Sequence, residues 1–219
     1  MSAQRPTVFI VDDDPDVRTS TARLLHTADY ETRTFESAAE FLANHQDEVP
    51  GCIILDVAMS GLTGLQLQER LVEVGCVHPI IFLTGVGSVP SSVKAMKAGA
   101  LNFLTKPVEE DELFATVDEA IRLDQSGRRL RARRQVIARR VERLTPRERE
   151  VFELVIAGRL NKQIAAALGT VEKTVKVHRS RVMHKIGART VAELVQLATC
   201  AGIVAAPPLR RPIYEGTAY

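Results

Sequence analysis

Ile53-Ile54-Leu55-Asp56 is an apolar run that ends directly in a carboxylate. Gly51 and the turn-rich Ser60-Gly61-Leu62-Thr63-Gly64 bound it. That setting suits a central parallel strand buried on both faces, although four apolar residues do not by themselves distinguish a strand from buried helix. At the carboxyl end of such a strand Asp56 stands where open parallel sheets bind their ligands. A lone aspartate is more often a solvated loop residue. Val8-Phe9-Ile10-Val11, however, ends in the same way, in Asp12-Asp13-Asp14. The repetition favours a site.

Working outward, apolar runs at Val8–Val11, Thr32–Phe35, Ile53–Leu55, Ile80–Leu83 and Leu101–Leu104 alternate with segments of helical period. Five strands interleaved with five helices predict an α/β fold with a parallel sheet and right-handed crossovers. Asp14-Pro15 supplies an N-cap and a first-position proline to the first helix, with Val17, Leu24 and Leu25 on one face. Ser37 and Glu40 have capping-box spacing for the second. Leu65, Leu67 and Leu71 mark the third, Pro90 to Gly99 the fourth, and Glu109–Leu123 the fifth.

The 219 residues, 45% hydrophobic, can bury one large core or two smaller ones. The net charge of +2 hides an asymmetry. Residues 1–124 carry 9 Lys/Arg against 20 Asp/Glu, a balance of −11; residues 125–219 carry 20 against 7, a balance of +13. Two domains follow, the second facing a polyanion, with nucleic acid the leading candidate. With no charged-then-apolar leader and no apolar run near the ~18 residues of a membrane span, a cytoplasmic protein without a membrane partner is expected. Cys52, Cys76 and Cys200 are odd in number and lack C-x-x-C spacing, which reads as buried reduced thiols rather than disulfides or zinc ligands. The five scattered histidines imply no metal site.

Residues 125–143 hold eight arginines, and Leu123, Leu130, Ile137 and Leu144 recur every seven residues. This predicts a basic helical linker that could assist dimerisation, with a solvated basic helix as the plainer reading. Beyond it, Thr145-Pro146-Arg147-Glu148 starts a helix over Pro146–Ala157. Asn161 is expected to cap a short helix through Leu168, Gly169-Thr170 to turn, and Val171–Ile186 to form a longer helix ending at Gly187. Thr190 to Glu193 cap a fourth helix to about Ala201. At about 100° per residue, Val175, Val182 and Ile186 share the core face of the long helix. Lys173, Lys176, Val177, Ser180 and His184 lie opposite.

Val-Asp-Asp-Asp-Pro at 11–15, Leu-Asp at 55–56, Thr-Gly at 84–85, Ala-Met-Lys-Ala-Gly-Ala at 95–100 and Lys-Pro at 106–107 resemble the receiver domain of two-component response regulators. The resemblance implies a flavodoxin-like sheet of strand order 2-1-3-4-5. Asp12, Asp13 and Asp56 on one sheet edge would repel one another unless they shared a cation, and hard oxygen ligands suit Mg²⁺. Asp56 is then the phosphoacceptor nucleophile and Lys106 a point charge for phosphate oxygens. By resemblance the Ala58 carbonyl completes the metal ligands and the Lys106-Pro107 bond is cis. By the same resemblance Thr84 would offer the phosphoryl group a hydroxyl, and Phe103 would be the switch aromatic that turns inward. Two departures stand out. Ser60 occupies a position where the family usually has proline, predicting a less rigid loop. Ala58 and Val86 stand where many relatives carry polar side chains able to orient a hydrolytic water.

Leu-Thr-Pro-Arg-Glu at 144–148, Asn-Lys-Gln-Ile-Ala at 161–165 and Lys-Thr-Val-Lys-Val-His at 173–178 resemble a LuxR-type helix-turn-helix domain, whose second helix enters the major groove. Lys176, Val177 and Ser180 are assigned to base edges, with Lys173 beside them on the same face. Thr174, Arg181, Lys185 and Lys162 are assigned to phosphates. Val171 stands where relatives often have a serine N-cap, so this helix start is weak. The expected organisation is a receiver over 1–124, the linker over 125–143, an all-α four-helix domain over 144–206 and a disordered tail over 207–219. The two resemblances together imply a response regulator of the FixJ/NarL type. Its partners would be a sensor histidine kinase, DNA, a second copy on activation, and RNA polymerase. Two alternatives are a Mg²⁺-dependent phosphotransfer enzyme and a constitutive DNA-binding protein with an unphosphorylated receiver. The first lacks a second carboxylate at Val57-Ala58, and the intact Asp12, Asp13, Asp56, Thr84 and Lys106 set speaks against the second.

Overall fold

A computed structural model describes residues 5–85 and 89–203. The first compact unit ends at Arg129 and the second begins at Leu130.

In the first unit β1 (Thr7–Val11), β2 (Glu31–Phe35), β3 (Gly51–Leu55), β4 (Ile80–Thr84) and β5 (Asn102–Thr105) alternate with α1 (Pro15–Thr27), α2 (Ala38–Asn44), α3 (Gly64–Glu73), α4 (Val89–Lys97) and α5 (Glu110–Glu142). All strand pairs are parallel, in the order β2-β1-β3-β4-β5. This is the flavodoxin-like sheet expected from the sequence. Every residue of β1, β3 and β4 is buried, because alternate side chains enter cores on opposite faces of the sheet. Phe9, Val11, Ile53, Leu55 and Phe82 face Phe41 of α2 and Leu67 and Leu71 of α3. Val8, Ile10, Ile54, Ile81 and Leu83 face Leu25 of α1 and Leu113 and Val117 of α5. Phe9 is in edge contact with Phe41, centroids 6.2 Å apart, so Phe9→Ala would remove about 3–5 kcal/mol of core packing.

Local sequence fixes the helix starts. Asp14 accepts the Asp16 and Val17 N–H groups, and Thr63 and Gln66 form a reciprocal capping box at α3. Ser37 accepts the Glu40 N–H, but the Glu40 carboxylate turns to Glu36 N–H at 2.7 Å, one residue outside the expected box. Cys52 is buried, whereas Cys76 and Cys200 are only partly so.

The second unit contains the end of α5 and then α6 (Pro146–Ile156), α7 (Asn161–Ala167), α8 (Glu172–Ile186) and α9 (Val191–Cys200). Val175, Val182 and Ile186 are buried with Val151, Phe152, Val155 and Leu194, as the projection of α8 requires. Thr145 and Glu148 form the capping box at α6. Gly187 ends α8 in the left-handed conformation, φ 79°, that a side chain resists.

Three boundaries differ from the sequence reading. α5 is one helix of 33 residues, running through both the expected domain end at 124 and Gly127. Ile137 and Val141, expected in a linker, are buried in the second unit's core, whereas Leu123 and Leu130 of the same seam are exposed. Asn161 is the first helical residue of α7, not its cap; Leu160 holds the cap position and its N–H is taken by the Gln163 side chain at 3.0 Å. Val86 and the tail 207–219 lie outside the described residues. Among the described residues no helix is long and apolar enough to cross a membrane.

Candidate functional site

Parallel pairing in register, Val11 beside Leu55 and Leu55 beside Phe82, brings the carboxyl ends of β1, β3 and β4 to one edge. The residues that follow these ends form the first site. Asp12 and Asp56 are buried, and the Asp56 N–H donates to Val11 O at 2.9 Å, tying the two strand ends together. Lys106, after β5, reaches both carboxylates: its Nζ lies 2.6 Å from Asp12 Oδ2 and 2.9 Å from Asp56 Oδ1. Its own N–H donates to Thr84 O at 2.8 Å, and the Lys106-Pro107 bond is cis, as the resemblance implied.

Each carboxylate is also oriented by the backbone. Asp12 Oδ1 accepts the Asp14 N–H at 2.9 Å and Asp56 Oδ2 accepts the Ala58 N–H at 2.6 Å. Gly64 serves this loop through what it lacks: a Cβ there would fall 2.0 Å from Asp56 O. Asp13 behaves differently. Its Oδ2 accepts both the backbone N–H and the hydroxyl of Ser60, each at 2.8 Å. The loop expected to be loose without proline is therefore anchored by two bonds, and a proline could not have supplied the N–H.

Charge follows these contacts. Burial pushes the Asp12 carboxyl above its ordinary value, and Asp56 adds to this, while Lys106 and the Asp14 N–H oppose it. The Ser60 bonds hold Asp13 below the usual range. For Lys106 burial works against the ammonium, but the hydrogen bonds to Asp12 and Asp56 prevail and its pKa is raised. The carboxylate oxygens form a hard donor set, and Lys106 is ion-paired with both buried carboxylates. The residues present therefore fit Mg²⁺ better than a softer ion. Thr84 is fully buried, and Phe103 packs its ring 5.9 Å from Phe82, turned toward the core.

The second site is a face of α8. Lys173, Lys176, Val177, Ser180 and Arg181 are exposed there, Thr174 is half-buried, and Lys162 is exposed on α7. Val177, 46% exposed, is an apolar side chain among cations, a combination suited to a thymine methyl group flanked by phosphates. Arg179 Nη1 donates to Asn161 Oδ1 at 2.8 Å and fixes α7 against α8. Lys185, expected at a phosphate, is half-buried. Its Nζ sits 2.6 Å from Glu148 Oε2 and 3.3 Å from Arg143 O, so the charge is engaged inside the unit.

Sequence reasoning also missed Arg128, read as one of a solvated run. It pairs with Asp124 at 2.6 Å and donates to the carbonyls of Asp47 at 2.6 Å and Val49 at 3.1 Å. Arg140 likewise donates to Ile186 O, at 2.8 Å, at the end of α8. Only the Arg128–Asp124 pair, four residues apart on one helix, has a local signature; the carbonyl partners of both arginines are tens of residues away.

Residues 8–118 match the family model for the response regulator receiver domain, and residues 142–198 that for bacterial regulatory proteins of the luxR family. Nodulation protein W of Bradyrhizobium diazoefficiens is 40% identical over 198 residues, covering 90% of this chain and 87% of that protein. Transcriptional regulatory protein FixJ of the same organism is 41% identical over 201 residues, covering 90% and 96%. Among solved structures, the response regulator StyR is 42% identical with a TM-score of 0.80, covering 89% of this chain and 98% of its own. Full-length FixJ from B. japonicum is 40% identical with a TM-score of 0.56, covering 92% and 100%.

Proposed function

The chain belongs to the response regulators that join a receiver domain to a LuxR-type DNA-binding domain, a phosphorylation-dependent transcriptional regulator of a two-component system, and on that premise we propose that Asp56 is its phosphoacceptor. The observation that supports this is Lys106 Nζ, within 2.9 Å of both Asp12 and Asp56, a positive charge that would meet the oxygens of a phosphoryl group on Asp56.

Such a family implies a sensor histidine kinase and DNA as partners. Asp12, Asp13, Asp56 and the Ala58 carbonyl would hold Mg²⁺, which when bound supplies charge neutralisation for the incoming phosphoryl group. An Asp56 carboxylate oxygen attacks phosphorus as the bond to the phosphohistidine nitrogen breaks, and the imidazole leaves with the electron pair. Lys106 then exchanges part of its bond to Asp56 for the new phosphoryl oxygens. The Thr84 hydroxyl turns toward the phosphoryl group, and Phe103 follows into the space this opens. Phosphorylation promotes dimerisation and DNA binding in the cytoplasm, with RNA polymerase as the downstream partner. The chain performs only its own phosphorylation and dephosphorylation, not catalysis on a separate substrate. On DNA, Lys176, Val177 and Ser180 read base edges beside Lys173, while Lys162, Thr174 and Arg181 contact phosphates. Lys185 is removed from that set because Glu148 holds it.

Asp56→Asn tests the assignment. With a small phosphodonor and Mg²⁺, the parent should gain one acid-labile phosphate by intact mass and the variant none, with unchanged circular dichroism. Equal incorporation in the variant would overturn it.

A further inference from the structure

At the opposite edge of the sheet, before the amino ends of β3 and β4, four side chains converge that phosphoryl transfer does not use. His45 caps the end of α2, Asp47 lies in the connection to β3, and Cys76 and His78 lie in the connection from α3 to β4. Their ligand atoms all fall within 4.8 Å of one another. His45 Nε2 is 3.1 Å from Asp47 Oδ1 and 3.5 Å from Cys76 Sγ, and His78 Nδ1 is 3.6 Å from Asp47 Oδ1 and 3.8 Å from Cys76 Sγ. Ligands about 2.0–2.3 Å from one tetrahedral ion stand about 3.3–3.6 Å apart. From this geometry we infer that His45, Asp47, Cys76 and His78 form a binding site for a borderline divalent transition metal, Zn²⁺ first among them.

The surroundings support it. His78 Nε2 lies 2.7 Å from Val49 O and 2.9 Å from Arg128 Nη2, so the ring is held by its far nitrogen while Nδ1 faces Asp47 and Cys76. A histidine fixed by a carbonyl on its far nitrogen is the usual preparation for a metal ligand. Arg128 binds the carbonyls of Asp47 and Val49, holding the loop that carries the third ligand; its own charge is balanced by Asp124. His45 is held by its ring contact with Phe41, centroids 4.6 Å apart, and its Nδ1 has no hydrogen-bond partner. His78 is fully buried while the Asp47 side chain is 45% exposed, which gives an ion a path from solvent. A thiol, two imidazoles and one carboxylate suit Zn²⁺ or Co²⁺ rather than Mg²⁺. The proposal runs against the expectation, from sequence, that Cys76 and the histidines bind no metal.

The test uses the full chain, stripped with a chelator and titrated with Co²⁺ in excess Mg²⁺. One equivalent should produce tetrahedral visible bands and a thiolate charge-transfer band, both removed by one equivalent of Zn²⁺. Cys76→Ser should abolish the charge-transfer band, whereas Cys200→Ser and Asp56→Asn should keep it. Should Cys76→Ser fail to fold, Asp47→Ala, at an exposed position, should weaken Zn²⁺ binding ~10-fold or more. Absence of the bands in the parent, a band that survives Cys76→Ser, one lost in Cys200→Ser, or unchanged affinity in Asp47→Ala would each overturn the site.

Discussion

Ser60 donates both its backbone N–H and its hydroxyl to one oxygen of Asp13, each at 2.8 Å. Two donors on a single carboxylate oxygen withdraw the charge that a cation would use and hold the group below its ordinary pKa. Ser60→Ala removes one of them. A net hydrogen bond of about 1 kcal/mol corresponds to roughly fivefold, so the Mg²⁺ needed for half-maximal phosphorylation by a small phosphodonor should fall about fivefold. An unchanged requirement would mean that Asp13 takes no part in holding the ion.

Lys106 balances two buried carboxylates, and its removal should be felt most where both are ionised. Lys106→Met should lose about 1.5–3 kcal/mol in urea unfolding near pH 7, the range for hydrogen bonds to charged groups. The Asp12 carboxyl is already raised by burial, and losing the ammonium raises it further. An acid with a raised folded pKa binds protons more readily in the folded state, so stability recovers as pH falls through that pKa. The deficit should therefore shrink as pH falls, and Mg²⁺ should reduce it near pH 7. A deficit independent of both would show that packing of the lysine stem, not charge, is lost.

Lys185 is paired with Glu148, so its loss should be felt in the stability of the second unit more than in DNA contact. Its hydrogen bond to Glu148, together with the Thr145 N–H, holds the Glu148 carboxyl below its ordinary value. The sign follows: the stabilisation is complete above the unfolded carboxyl value and is lost as pH falls through the lowered folded one. Lys185→Ala should cost ~1 kcal/mol of stability, discounted for its part exposure, and Glu148→Gln should flatten the acid limb of the unfolding curve. By contrast Lys176→Ala should leave stability unchanged and lose ~1–3 kcal/mol of sequence discrimination in DNA titrations. Equal loss of salt-sensitive binding in both variants would place Lys185 back among the phosphate contacts.

These residues also mark how far the sequence could be read. β1, β3 and β4 are apolar throughout because helices cover both faces, so the runs at Val8, Ile53 and Ile80 were legible without any partner in view. β2 is polar, Glu-Thr-Arg-Thr-Phe, and exposed along most of its length, yet its position between α1 and α2 in chain order sufficed. Asp12, Asp56 and Lys106 could be paired because each follows a strand and parallel strands end together. Side chains whose role depends on a distant surface could not. Arg128 looks like its neighbours until the 47–49 carbonyls are seen beside it, and Lys185 is one more cation on a basic helix until Glu148 is. His45, Asp47, Cys76 and His78 form two pairs, each spaced by one residue, but only the adjacency of the two connections brings the pairs together.

The lifetime of the acyl phosphate depends on whether a water can be held in line with phosphorus. Ala58 donates its N–H to Asp56 Oδ2 at 2.6 Å, while its exposed methyl group can neither donate nor accept a hydrogen bond. Val86, two residues beyond Thr84 in sequence, likewise brings no polar side chain. Orientation of a reacting group contributes several kcal/mol to such a barrier, so its absence here should make self-dephosphorylation slow. The small Ala58 also leaves the phosphoryl group open to bulk water, which acts the other way. Orientation outweighs access because bulk water is abundant at any exposed ester, whereas an aligned one must be held. Ala58→Asn combined with Val86→Glu should then speed phosphate loss by ~10-fold, for a barrier lowered by ~1.4 kcal/mol, followed by intact mass at fixed Mg²⁺. Ala58→Asn keeps the backbone N–H that orients Asp56, so phosphorylation itself should persist. Phosphate loss no faster than in the parent would mean that access, or the carboxylates themselves, set the rate.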